Sequence, residues 1–463
     1  MYGFIGTWKW KNAKYDLSYK NFQSQSINNN FIYEDFFLLQ KTNGKFQNDK
    51  ICFENDNIIF CIDGLIYNLK SLVQNQSSYQ CIADMYETYG VSFIDKLDGV
   101  FSLVLFDKKK RLLILGTDHT AMKSVYYYDD NRKLIFSTDI AWLYNTIRES
   151  GKKLSLNIDG AYSLLSYGYM IDDMTLISGV KKLLPGEYLV CQEQKFSLHN
   201  YFNYSEIKFI KDDYNCLLEE AEKLFSNAVQ KRYKKDDEYD YKHICTLSGG
   251  LDSRSILFTS FDLGYKEQLT ITMSQSNTPD EKIAKNIATS LGVKNLFLVL
   301  NNGEYLRNVE RAVELNGGLV TYQGLMHSEL LFSLVNHQHY GAIHSGEIGD
   351  AIFGGHAIDE YQSEVDYKYG AFSSRLISRI SPSILEGAKN RCNTKYMFFL
   401  LERGLNSTIN GWYSATPYTE YTSAFLDKAF LKFILSVPPE YRAKSRFYID
   451  WMREYHSEMC HFL

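Results

Sequence analysis

The chain has 463 residues, 45% of them hydrophobic and 23% charged, with a formal net charge of −5. That length is too great for one ordinary core, so two or more soluble globular domains are expected. Lys and Arg number 50 against 55 Asp and Glu, which leaves no basic excess to grip a phosphate backbone and argues against nucleic acid as a partner.

Nothing in the sequence has the length and apolarity of a membrane span, and MYGFIGTWKW at the start lacks the apolar segment of a secretory signal. The eight cysteines form no C-x-x-C pair and have no histidine at metal spacing. They read as buried free thiols of a reducing compartment, so a cytoplasmic location with no membrane partner is expected.

Residues 1–200 hold short alternating or β-branched runs. NDNIIFCIDG, GVFSLVLFD, RLLILGTD and KSVYYYDDNRKLIFSTD read as strands, with a hairpin turn at 129–132. Many strands with few helices predict an antiparallel α+β sandwich. Residues 201–215 are polar, aromatic and aperiodic, and read as a linker. From 216 to 463 the pattern changes. CLLEEAEKLFSNAVQKRYKK places Leu217, Leu218, Ala221, Leu224, Phe225, Ala228 and Val229 on one helical face. Strand-like HICTL, LTITM and NLFLVL then alternate with helix-like SRSILFTSF and DEKIAKNIATSLG, the latter ended by Gly292. That alternation predicts a doubly wound parallel sheet, so the fold class is α/β with an antiparallel sandwich ahead of it.

The strand at 243–247 runs into Ser248, Gly249 and Gly250, then Asp252 and Ser253. A strand-to-helix turn of small residues exposes unpaired N–H groups at a positive helix end, which suits a nucleotide's phosphates. No lysine follows the glycines, so this is not a Walker A loop. A carboxylate beside phosphates requires a cation between them, so Asp252 predicts Mg²⁺. The bland alternative is a plain strand–helix turn with a solvated acid. A second stretch, HSGEIGDAIFGGH at 344–356, again follows an apolar run and packs Ser345, Gly346, Glu347 and Asp350 into a turn. Two such loops at the ends of neighbouring parallel strands would open into one crevice, with Asp350 as the second carboxylate for the metal.

LSGGLDSR followed by SGEIGDAIFGG resembles the asparagine synthetase family in its ATP-pyrophosphatase domain. IDGLIYNLKSL, FIDKLDGVFSLVLFD and DDMTLISGVKKLLPGEYLV resemble the same family's N-terminal-nucleophile (Ntn) glutaminase domain. The resemblance implies ATP and Mg²⁺ as cofactors. Ser248, Gly249, Gly250, Asp252 and Ser253 would hold pyrophosphate and metal, and Leu247, Met273, Ser345 and Gly346 would line the adenosine. Asp252 and Asp350 would be the metal ligands, and Glu347 would be the catalytic base toward the incoming amine. Arg254 is left between two roles, a contact to the leaving group and a solvent-facing helix residue. Tyr322 and His327 are left between substrate contact and core packing, with packing favoured.

The resemblance fails at several points. It implies a cysteine nucleophile where the sequence has Tyr2, and a phenol with a pKa of about 10 cannot replace a thiol. The substrate clamp reads Asp63-Gly64-Leu65, and an Arg-Asp pair reads Thr117-Asp118. A lysine implied beyond VPPEYRAKSRFYIDWMRE is not reached before Leu463, and neither Lys428 nor Lys444 fits it, so the C-terminal domain is expected to be cut short. The expected function is an ATP-dependent ligase that adenylates a small-molecule or peptide carboxylate and lets ammonia or an amine attack, without its own glutamine hydrolysis. Two alternatives stay open, a glutamine-hydrolysing asparagine synthetase and a non-catalytic ATP-binding relative. A homodimer is one arrangement the sequence permits.

Overall fold

The computed structural model describes residues 2–10, 28–73, 76–192, 194–354 and 363–462. Gly355 and His356, the last residues of the second motif, lie outside that set.

The N-terminal half is built from two six-stranded antiparallel sheets. Strands Ile58–Ile66 and Gly99–Asp107 pair at the middle of one of them and are buried along their whole length. Their side chains alternate between two cores, which is why they are apolar without a break. Ile59, Cys61, Val104 and Phe106 face the other sheet, meeting Phe4, Trp8 and Phe36. Ile58, Phe60, Ile62 and Leu105 face helix Ser78–Tyr89. The hairpin forms from Tyr126–Asp129 and Lys133–Ser137, with Asn131 at φ +64° in its turn.

Helix Tyr214–Asp237 opens the second half, with the Asp213 side chain capping it. The parallel sheet follows in the order Lys294–Val299, Gln268–Ser274, Lys242–Thr246, Tyr340–Ser345, Tyr421–Ser423. Winding runs outward one way from Lys242–Thr246, then resumes on its other side with Tyr340–Ser345. The order therefore reverses between these two strands, the place where open α/β sheets leave a crevice. Gly292 ends helix Pro279–Leu291 in the left-handed region at φ +68°. Among the described residues no helix is long and apolar enough to cross a membrane. All eight cysteines are free, six of them buried, but Cys216 is exposed.

Residues 201–213 do not hang between the halves. Phe202 and Tyr204 are buried, and the Tyr201 and Tyr204 hydroxyls donate to Thr117 O at 2.9 Å and His119 O at 2.6 Å. Aromatic side chains that read as linker composition act here as pegs.

A buried ion cluster joins the halves. Lys123 Nζ lies 2.7 Å from Asp63 and 3.0 Å from Glu420, and Lys50 Nζ lies 2.8 Å from Glu420 and 3.9 Å from Asp63. Burial alone would raise the Glu420 carboxyl, but the two lysines outweigh it and hold the pKa at about 2. Removing one member leaves uncompensated buried charge, which costs about 3–5 kcal/mol. Glu420→Gln should lower unfolding free energy at pH 7 by about that amount. A depressed carboxyl stabilises above its unfolded pKa near 4 and loses the effect as pH falls toward 2. The gap between the two proteins in urea denaturation should therefore narrow from pH 5 to pH 3.

Candidate functional site

Strand Lys242–Thr246 runs through Leu247 into the Ser248–Gly250 turn, and helix Leu251–Asp262 starts with Gly250 as its N-cap. Asp252 and Ser253 therefore sit in the helix's first turn. The turn is wound on its own hydroxyls. Ser248 N–H donates to Ser253 Oγ at 2.9 Å, the two hydroxyls lie 2.9 Å apart, and Gly250 N–H donates to Ser248 Oγ at 3.1 Å. Gly249 N–H donates to Asp280 Oδ1 at 2.8 Å, and a Cβ at 249 would lie 2.6 Å from that oxygen.

The neighbouring strand Tyr340–Ser345 delivers the acidic loop onto this turn. A Cβ at Gly346 would stand 2.3 Å from the Asp252 carbonyl carbon and 2.4 Å from Ser253 N. One at Gly349 would stand 2.6 Å from Asp252 Cγ. Only glycine permits either approach. Between them Ile348 takes φ +71°, a conformation that costs a β-branched residue about 1–3 kcal/mol. The strain turns the loop so that Asp350 N–H donates to Asp252 Oδ2 at 3.1 Å. The Tyr448 hydroxyl donates to Asp252 Oδ1.

Burial pushes the Asp252 carboxyl up to about 7; the Tyr448 hydrogen bond opposes the rise, and the negative charges of Asp350 and Glu347 add to it. Crowded carboxylates presenting only oxygen donors fit a hard divalent cation, which would relieve that crowding.

Glu347 is half-buried and held from one side. Its Oε2 accepts from Trp412 Nε1–H at 3.1 Å and from the Tyr421 hydroxyl at 3.3 Å. Its backbone is fixed by Ser345 Oγ at 3.1 Å and Ser423 Oγ at 3.0 Å. Burial raises its pKa, and the Trp412 and Tyr421 hydrogen bonds and the Arg403 charge pull the other way. A carboxylate with a raised pKa is a better proton acceptor than a solvated one. Glu347 and Met273 line one cavity of about 370 Å³. Leu247 is buried, and its carbonyl accepts from Thr272 Oγ1 at 2.7 Å. The structure thus brings both loops together and sets Met273 on the wall of the cavity beside them.

Arg254 is not the solvent-facing helix residue of its two expected roles. It is 4% exposed, and its guanidinium donates to Met459 O at 3.0 Å, Phe462 O at 2.8 Å and Gly249 O at 2.5 Å. It is a strut under the turn. Tyr322 and His327 are not core residues: His327 lines the Glu347 cavity and Tyr322 is exposed.

Sequence reasoning missed four residues of the site. Asp280 and Tyr448 lie in stretches it singled out, DEKIAKNIATSLG and VPPEYRAKSRFYIDWMRE, without a role for either. Trp412 and Tyr421 come from the 3₁₀ helix Thr408–Ser414 and the edge strand Tyr421–Ser423, which carry no local motif.

Between the two halves, Tyr2, Asp63, Asp139 and Glu420 line a second cavity of about 410 Å³, which shares Trp412 and Tyr421 with the first as a common wall. Asp63 is taken up by Lys123. Asp118 is buried and caps the Thr120 N–H at 2.8 Å.

Residues 49–202 match the glutamine amidotransferase domain family, and residues 220–391 match the asparagine synthase family. The chain is similar to the amidase chry2 of Gibberella zeae, 27% identical over 312 residues, covering 60% of this chain and 43% of that protein. It is also similar to the glutamine-hydrolysing asparagine synthetase of Homo sapiens, 24% identical over 373 residues, covering 78% of this chain and 60% of the human protein. The chain spans between about a quarter and three fifths of the length of the curated relatives it matches.

The raised Asp252 carboxyl penalises the folded state once it ionises. The penalty is absent below the ordinary aspartate value near 4 and complete above pH 7. In metal-free buffer Asp252→Asn should therefore be more stable than the parent at pH 8, by about 1–3 kcal/mol, and nearly equal to it at pH 4.5. Urea denaturation at the two pH values checks this, and a pH-independent difference would contradict it.

Proposed function

The two halves of this chain belong to the glutamine amidotransferase and asparagine synthase domain families, and on that premise we propose that the protein is an ATP-dependent ligase that joins a carboxylate to ammonia or an amine without hydrolysing glutamine itself. The observation that supports the reading is the closure of the acidic loop onto the Ser-Gly-Gly turn, with Gly346 and Gly349 against Asp252 and the Asp350 N–H on its carboxylate.

The reaction divides into two steps. A substrate carboxylate oxygen attacks the α-phosphorus of ATP, forming an acyl-adenylate and releasing pyrophosphate. The amine nitrogen then attacks the acyl carbon, a proton leaves the nitrogen, and the C–O bond to AMP breaks. In the first step the Ser248–Gly250 turn would cradle the pyrophosphate, with the Ser253 and Ser248 hydroxyls giving up the Ser248 and Gly250 N–H groups they now accept from. Gly249 N–H is then handed over by Asp280, its partner in the closed turn. Asp252 and Asp350 would hold Mg²⁺, which supplies the positive charge that a triphosphate beside carboxylates demands. In the second step Glu347 accepts the amine proton. Trp412 and Tyr421 occupy one of its oxygens, which leaves the other to face the cavity.

Two features support the silent glutaminase half. Tyr2 stands where the family resemblance implies a cysteine. Asp63, in the place of the implied clamp, is neutralised by Lys123 and cannot receive a ligand without losing that pair.

Pyrophosphate release with ATP, Mg²⁺ and a panel of acids tests the reading. Asp252→Asn should reduce release at least 100-fold with the fold intact, and unchanged turnover would overturn the metal assignment. Glu347→Gln should keep ATP–pyrophosphate exchange within a few-fold while lowering amide formation about 10²–10⁴-fold. Glutamine incubated with the protein should yield no glutamate; steady glutamate formation would show that the N-terminal half works.

A further inference from the structure

The cavity beside Glu347 is walled by rings. Phe332, Trp412 and Tyr421 line it on the synthase side, and Tyr169 reaches it from the N-terminal half. At its rim lies Phe372, 72% exposed. Standing at the mouth of a ring-walled cavity, it extends the apolar surface of that cavity outward, as the rim of a ligand-binding groove does. The ring is also seated: it lies across Gly168, φ +81°, where a Cβ would stand 2.3 Å from a ring carbon. The backbone has made room for a ring that nothing among the described residues buries.

One cation faces into these rings. Arg403 is half-buried, and its guanidinium donates to the Ser407 hydroxyl at 3.1 Å and the Thr408 hydroxyl at 3.0 Å. Among the described residues no acid pairs with it, unlike Arg232, which holds Asp427, and Arg391, which holds Asp172 and Glu402. A guanidinium offers five donors, so most of its capacity is unspent, and a carboxylate is the group that matches its fork. Arg403 also favours the ionised form of Glu347.

Resting on the ligase reading, we propose that the acceptor of this site is an aromatic carboxylic acid: its ring lies among Trp412, Phe332 and Phe372, and its carboxylate is held by Arg403. A small polar amino acid or a sugar acid would leave the rings wet and Phe372 uncovered. A flat apolar body covers them, and aromatic contacts reward it beyond the area buried.

The test is direct binding, by calorimetry, of phenylacetate and 4-hydroxycinnamate against L-aspartate and D-galacturonate, each with the full chain and Mg²⁺ and a non-hydrolysable ATP analogue present. The aryl acids should bind at least tenfold tighter than the other two. Arg403→Gln should weaken aryl-acid binding at least tenfold, and Phe372→Ala, a surface change that leaves the core untouched, about fivefold. Both variants should bind the ATP analogue as the parent does. Equal or tighter binding of aspartate or galacturonate, no binding of the aryl acids, or an unchanged affinity in both variants would overturn the proposal. If the nucleotide analogue binds and the aryl acids do not, the acceptor assignment alone fails. If the analogue itself does not bind, the ligase reading fails with it.

Discussion

Everything at the site follows from the contact of two glycines with one aspartate. Gly346 and Gly349 press on the backbone and carboxyl of Asp252 at distances no side chain could share. That contact closes two loops, 98 residues apart in the chain, into one surface. It raises the Asp252 pKa, strains Ile348 and fixes the direction in which Glu347 leaves the backbone. The parallel sheet makes the contact available, because winding reverses between Lys242–Thr246 and Tyr340–Ser345. Both loops then emerge side by side at the same end of the sheet.

The N-terminal half shares a wall with the site. The Lys50, Asp63, Lys123 and Glu420 cluster ties it to the synthase half a single residue before Tyr421, one of the two groups that hold Glu347. Charges that could have served a ligand in the second cavity are spent on each other. Buried ion pairs contribute little net stability compared with apolar packing, but losing one member is costly, so such a cluster resists piecemeal change. The wall of Trp412 and Tyr421 is where the two halves touch the same chemistry.

The strands and helices of both halves were legible because their hydrophobic periods are strong. Gly99–Asp107 and Gln268–Ser274 lie where the patterns place them, and Gly292 ends its helix as its position suggests. The two loops were legible for a different reason: small residues, an acid and a preceding apolar strand are all local in sequence. What was not legible depends on distant packing. Trp412 and Tyr421 carry no motif and reach Glu347 only because an edge strand pairs beside Tyr340–Ser345. Arg254 reads as a leaving-group contact or a solvent-facing residue, yet it lies buried with three backbone carbonyls as partners. The aromatic residues of 201–213 read as a linker because composition cannot show that Tyr204 finds His119.

The central claim is that Asp252 and Asp350 together hold one divalent ion against a nucleotide's phosphates. Electron paramagnetic resonance of Mn²⁺, used in place of Mg²⁺, reads this directly. The account predicts one tight Mn²⁺ per chain when ATP is present, with ³¹P hyperfine coupling from the nucleotide, and loss of that site in Asp252→Asn and in Asp350→Asn. Tight Mn²⁺ with the same phosphorus coupling in both variants would contradict it.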